Sequence, residues 1–144
     1  MPSSTMAQIR SAFAAALKLV FQPTDPDGQW QVSAYLLAQP ALRSIDVQPT
    51  GVEYDLAMAG GYDRLTFKIR AMVPTTSDVG QQDLIDAMVD PGSATSMKKA
   101  VEADRSLGGT VSYVRVMNAS DYKLYDVQGA TPWLGIEWEV EVIP

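Results

Sequence analysis

The chain has 144 residues, of which 47% are hydrophobic, and this size and apolar content suit one globular domain with its own core. It contains no cysteine and no histidine, which excludes disulfides, thiolate metal sites and the commonest general base. With 17 acidic and 11 basic residues, the formal net charge of -6 argues against nucleic-acid binding, because that binding needs clustered cations.

The N-terminal segment predicts an amphipathic helix that ends by Phe21. Thr5 and Gln8 have the spacing of a capping box. Apolar residues then recur at helical spacing at Met6, Ile9, Phe13, Leu17 and Val20. The apolar run that follows Ser11 contains Lys18 and is too short to span a bilayer, so we expect a soluble protein that stays in the cytoplasm.

Alternating apolar residues predict strands in the first half of the chain. One strand covers residues 30–36, and a second, short strand contains Ile45 and Val47. Pro49 and Gly51 are expected to turn the chain into an antiparallel hairpin over residues 52–73, around the loop AGGYDR. Because its tip is rich in glycine and poor in apolar residues, we expect about residues 49–64 to project and to become ordered against a neighbouring subunit.

Two helices are predicted next. The first follows a threonine or serine cap at residues 76–77 and ends before Pro91. Its apolar stripe consists of Val79, Ile85, Met88 and Val89. The second helix begins at Ser96 and runs to Asp104, and the glycines at 108–109 separate it from the next strand.

The last third of the chain is predicted to be β structure. A strand covers residues 111–117, and a hairpin joins residues 124–127 to a final strand from Trp133 through the turn QGAT. One face of the final strand carries Leu134, Ile136, Trp138, Val140 and Val142. The predicted fold is a single α+β domain, residues 1–144, in which a mixed or antiparallel sheet packs with an N-terminal helix and a central helical segment.

Two groups of carboxylates are candidate cation or acid–base sites. Asp25 and Asp27 resemble the start of a calcium loop, but the later ligands and the closing glutamate are absent, which favours a plain turn. Asp83, Asp86 and Asp90 recur at helical spacing. Three carboxylates in such a pattern are usually a solvated helix face, and we favour that interpretation over catalysis or metal binding.

Two other motifs have structural interpretations. Ser96 and Lys99 match the spacing of a serine nucleophile with a lysine base, but their partner motifs are absent, so exposed helix lysines are favoured. The glycine pairs at 60–61 and 108–109 lack the lysine and the spacing of a phosphate-binding loop and are interpreted as turns. The sequence therefore predicts no catalytic, cofactor-binding or metal-binding residue, and no cofactor.

The final strand carries an acidic row, Glu137, Glu139 and Glu141, opposite its apolar face. Like charges about 7 Å apart along a strand are stable only where they are wet or paired. A solvated strand face is favoured; the alternative is an acidic assembly surface, either paired with a neighbour's cations or lining an aqueous channel. We expect Trp138 to pack inward against the first helix, and charge reversal of the three glutamates to leave the subunit folded.

Several sequence segments of the C-terminal part follow one another in a characteristic order. A strand leads into a helix that ends in LIDAMVD, then a short helix SMKKAVEAD, a turn SLGG, a strand, and a final hairpin that ends in LGIEWEVEV. In the order and the sequences of these segments, residues 65–144 resemble the tail terminator proteins of long-tailed, siphovirus-type bacteriophages. Residues 1–64 match that family only in outline.

The resemblance implies a structural virion protein and not an enzyme. Such a protein forms a ring, typically of six copies, that caps the head-proximal end of the tail tube and stops its polymerisation. Its partners would be other copies of the chain, the major tail tube protein and a neck or head–tail connector protein. Genomic DNA would only pass through the lumen, and a membrane would not be a partner. The protein would be made in the host bacterial cytoplasm and reside in the virion, at the tail–neck junction.

Two alternatives stay open at this point. Another head–tail connector or head-completion protein can share a helix-plus-sheet fold. From a different class, a small ligand-binding module, or an enzyme that uses only carboxylates and backbone amides, is compatible with the same fold class. A deep pocket with convergent polar groups would favour the second alternative, whereas a flat flank that forms a ring would favour the terminator.

Overall fold

The computed structural model describes residues 6–21, 31–35, 44–54, 63–74, 79–93, 96–125 and 133–144. The elements in this part are α1 (Met6–Phe21), β1 (Gln31–Ser33), β2 (Ser44–Glu53), β3 (Arg64–Pro74), α2 (Val79–Val89), α3 (Met97–Glu102), β4 (Tyr113–Tyr125) and β5 (Trp133–Ile143). The strands form one mixed sheet in the order β1-β2-β3-β5-β4, in which β1 is parallel to β2 and the other neighbours are antiparallel. This arrangement confirms the predicted α+β fold class.

The hydrophobic core lies between one face of the sheet and the helices. From α1, Ile9, Phe13 and Leu17 are fully buried, as their helical spacing predicted. The ring of Phe13 lies 5.2 Å from the ring of Phe67 on β3. The alternating residues of β3 and β5 fill the rest of this face and are all buried: Leu65, Phe67, Ile69, Ala71, Val73, Leu134, Ile136, Trp138, Val140 and Val142. Both predicted alternations are therefore confirmed, and Trp138 belongs to the same buried cluster as the α1 residues.

Residues 44–53 form one continuous strand, so the predicted turn at Pro49 and Gly51 is wrong. The pairing of β2 with β3 continues across this segment, with a register shift between Pro49 and Gly51 that makes a β-bulge. The hydroxyl of Thr50 donates to the carbonyl of Thr66 across the bulge, at 3.1 Å. Proline is tolerated here because β1 pairs only with residues 44–46, which leaves the outer edge of β2 without a described partner at Pro49.

β2 and β3 are antiparallel, and their described register ends with Glu53 opposite Arg64. Of the predicted hairpin over residues 52–73, the second arm is confirmed as β3, whereas the first arm is described only at residues 52–54, where the longer strand β2 ends. Tyr54, just beyond β2, is exposed. The glycine-rich tip of this hairpin, including the glycine pair at 60–61, lies outside the described residues. Asp25 and Asp27 lie outside them as well. Residues 31–35 of the first predicted strand are described, and its regular part, β1, ends at Ser33.

β4 is also one strand, where the sequence predicted two short ones. It pairs with β5 from Tyr113 opposite Ile143 to Tyr125 opposite Trp133, with register shifts after Val116 and after Ser120. The second shift contains Asp121 in the left-handed region, with φ 57°. The sequence did not predict a continuous strand, because the side chains of the segment NASD, residues 118–121, are all exposed and show no apolar–polar alternation.

The end of α2 and the start of α3 agree with prediction. α2 ends at Val89, before Pro91. Ser96 is the N-cap of α3, and its hydroxyl oxygen accepts a hydrogen bond from the Lys99 amide at 3.3 Å. The predicted cap of α2 at residues 76–77 lies outside the described part of the chain.

α3 ends at Glu102, two residues before the predicted end, and Asp104 instead organises the following turn. Its carboxylate accepts hydrogen bonds from the Ser106 amide (3.0 Å), the Ser106 hydroxyl (2.7 Å) and the Gly108 amide (2.9 Å). Residues 107–109 all have positive φ, which suits the two glycines and confirms the predicted turn.

Candidate functional site

The sheet face opposite the core carries a balanced set of charges, which we call the charged face. The strand registers place on it five acidic and five basic residues, namely Asp46, Glu53, Glu137, Glu139, Glu141, Arg64, Lys68, Arg70, Arg115 and Lys123. The helical elements pack their buried residues against the other face. The charged face is thus built from residues of four strands, and its formal charges cancel.

Two of the three glutamates of β5, Glu137 and Glu141, are paired within their own chain. Lys68 Nζ lies 3.3 Å from Glu137 Oε2. Glu141 is approached by Arg115 Nη2 at 3.2 Å and by Arg64 Nη1 at 3.8 Å. The Glu137 and Glu141 side chains are only 17% and 16% exposed. The expectation of a solvated acidic face is therefore corrected: neighbouring strands supply the cations, and no second subunit is needed for the pairing.

An ion pair with a buried carboxylate joins β2 to β3 on the charged face. The Asp46 carboxylate on β2 is 1% exposed and accepts two hydrogen bonds from the Arg70 guanidinium on β3. Such two-pronged geometry fixes the relative position of the two strands. Because the two residues are 24 positions apart, no local pattern in the sequence indicated this contact.

The outer side of α2 is acidic. Asp83, Asp86 and Asp90 are exposed, as predicted for a solvated helix face, and the helix contains no basic residue. Tyr122 of β4 lies beside this helix. Burial, the charge and hydrogen bond of Asp86, and the charge of Asp83 raise the pKa of the Tyr122 hydroxyl above its ordinary value of 10.0. Within the described residues, no group of three or more potential ligands is arranged to hold a metal ion.

The Ser96–Lys99 spacing serves the start of α3. Ser96 is 1% exposed, and its hydroxyl is engaged by the helix amide described above. The Lys99 ammonium group is exposed and donates to the carbonyl of Gly92, at 3.1 Å. These contacts join α3 to the end of α2 and do not place the lysine as a base next to the serine hydroxyl.

The Glu102 carboxylate accepts hydrogen bonds from three different residues, which the sequence did not indicate. Its Oε2 accepts hydrogen bonds from the Val116 amide (2.8 Å) and Lys98 Nζ (2.7 Å), and its Oε1 accepts one from Arg105 Nη2 (2.9 Å). Burial raises the pKa of Glu102, but the hydrogen bonds from Lys98 and Val116 and the charges of Lys98 and Arg105 outweigh burial, so the pKa lies below its ordinary value of 4.5. The carboxylate thereby covers an amide at the edge of the sheet, next to the register shift of β4.

An open groove of about 910 Å³ separates α1 from the turn at residues 104–110. Its α1 wall consists of mostly small residues and one exposed leucine, namely Ala7, Gln8, Ser11, Ala12, Ala15, Ala16 and Leu19. Asp104 is the charged residue of this lining, and its carboxylate is occupied by the amides and hydroxyl of the turn. The groove therefore lacks the convergent polar groups that a small-molecule site uses for orientation.

Comparison with protein-family models finds no match to this chain. Comparison with curated proteins finds no significant match either. Within the described residues, none of the helices has both the length and the apolar character needed to cross a bilayer. What the chain does is therefore inferred from its own residues and surfaces.

Proposed function

We propose that the chain is a tail terminator of siphovirus-type bacteriophages. In this proposal it is a non-enzymatic virion protein whose copies form a closed ring of six at the head-proximal end of the tail tube. The ring stops tube polymerisation and offers its other side to a neck or head–tail connector protein. It is made in the host bacterial cytoplasm and then resides at the tail–neck junction.

The observation that carries this proposal is the agreement between the sequence segments of residues 65–144 and the helices and strands in which they lie. In the described part, β3, α2, α3, a glycine turn, β4 and β5 follow one another. LIDAMVD ends α2, SMKKAVEAD starts with the cap of α3, SLGG forms the turn, and LGIEWEVEV lies on β5. This is the order that the resemblance to tail terminators implies.

The charge distribution supports a ring through which DNA passes. The cations of the charged face lie beside carboxylates of the same face, as in the pairs Arg70–Asp46 and Arg115–Glu141, so they offer phosphates little uncompensated charge. The remainder of the chain then accounts for the formal net charge of -6, which repels a polyanion. A subunit of this kind lets DNA move past it without holding it tightly.

The proposal assigns no catalytic role and no cofactor to the chain. Its partners are other copies of the chain, the major tail tube protein and the connector, with genomic DNA only in transit. Each of these contacts is a protein surface, which agrees with the lack of convergent charged groups in the lining of the α1 groove.

Two measurements test the proposal. Native mass spectrometry and electron microscopy of the purified protein are expected to show a closed ring. Added to tubes that grow from the major tail protein of the same phage, the protein should stop elongation and appear at one tube end. A monomer or a two-fold dimer in the particle would contradict the ring. Binding to the connector alone, with unchanged tube growth, would instead identify another neck protein.

A further inference from the structure

No further inference is drawn: the strongest candidate, the open groove between α1 and the turn at residues 104–110, is lined mostly by small and apolar side chains, and nothing in the described part of the structure shows what covers it.

Discussion

Asp46 and Arg70 face each other across β2 and β3 in a two-pronged ion pair, with 2.5 Å between Nη2 and Oδ2 and 3.2 Å between Nε and Oδ1. The aspartate is 1% exposed, whereas the arginine side chain is 23% exposed. A carboxylate at this depth is tolerated because the guanidinium compensates its charge. Removal of either side chain therefore leaves the charge of the other one uncompensated in the folded protein.

The first prediction concerns the loss of one partner. Arg70→Met should lower the free energy of unfolding by about 3–5 kcal/mol, because it leaves the Asp46 carboxylate buried without its cation. The combined variant Asp46→Leu, Arg70→Met removes both charges and should be more stable than Arg70→Met alone. Urea denaturation measures both. If Arg70→Met were as stable as wild type, the expected dependence of folding stability on this ion pair would be contradicted.

The second prediction revises the effect of reversing the acidic row. Lysines at Glu137, Glu139 and Glu141 would lie beside the cations of β3 and β4, so the triple variant should lose about 1–3 kcal/mol of folding stability. Added salt should reduce this loss, because it screens the repulsion. Urea denaturation at low and high salt measures the effect.

A matched control for the acidic row is the triple lysine variant of Asp83, Asp86 and Asp90, which changes the net charge equally. These carboxylates lie on an exposed helix face without a basic residue in the helix. The variant loses the exposed hydrogen bonds of Asp86 with Tyr122 and of Asp90 with the Gly92 amide, but it creates no row of like charges on the sheet, so it should lose less stability than the acidic-row variant. Equal losses in both triple variants would mean that total charge, and not the ladder on the sheet, determines the effect.

The third prediction concerns the link between α3 and β4. Glu102→Ala should cost about 1–3 kcal/mol, because the Val116 amide loses its acceptor. Glu102→Gln keeps an acceptor and loses only the charge, so its cost should be smaller. Thermal and urea unfolding compare the two variants, and equal stability of both with wild type would contradict the role of this carboxylate.

The pH dependence of the Glu102 contribution follows from the direction of its pKa shift. Its pKa is lowered in the folded protein, because the cationic and amide partners outweigh burial. The stability advantage of wild type over Glu102→Gln should therefore be complete above pH 4.5 and disappear as the pH falls through the folded-state pKa. An advantage that persists at lower pH would contradict this linkage.

The fourth prediction concerns the contact of α2 with β4. Asp86→Asn should lower the pKa of Tyr122, because it removes the negative charge that disfavours the phenolate. The raised pKa contributes stability that is present below pH 10.0 and lost as the pH rises towards the folded-state value. Phenolate absorbance, with Tyr122→Phe to identify its signal, measures the shift. If the midpoint of the Tyr122 titration were unchanged in Asp86→Asn, the proposed interaction between Asp86 and Tyr122 would be contradicted.

The sequence by itself determined the elements whose signal is local. The apolar spacing of Ile9, Phe13 and Leu17 predicted α1, and strict alternation predicted the buried faces of β3 and β5. The cap at Ser96 and the glycine turn at 108–109 were also found, because each depends on backbone geometry within a few residues. Fold class followed from the order of these elements.

Only the tertiary structure decided where local signals are overruled by pairing with a distant strand. Pro49 and Gly51 are turn residues in isolation, yet β3 holds them in a bulged strand. Lys68 meets Glu137 only because β3 and β5 are neighbours in the sheet. Periodicity shows which side of a strand a residue occupies, but not which strand lies beside it, so the charge of a sheet face is fixed only when the strands are paired.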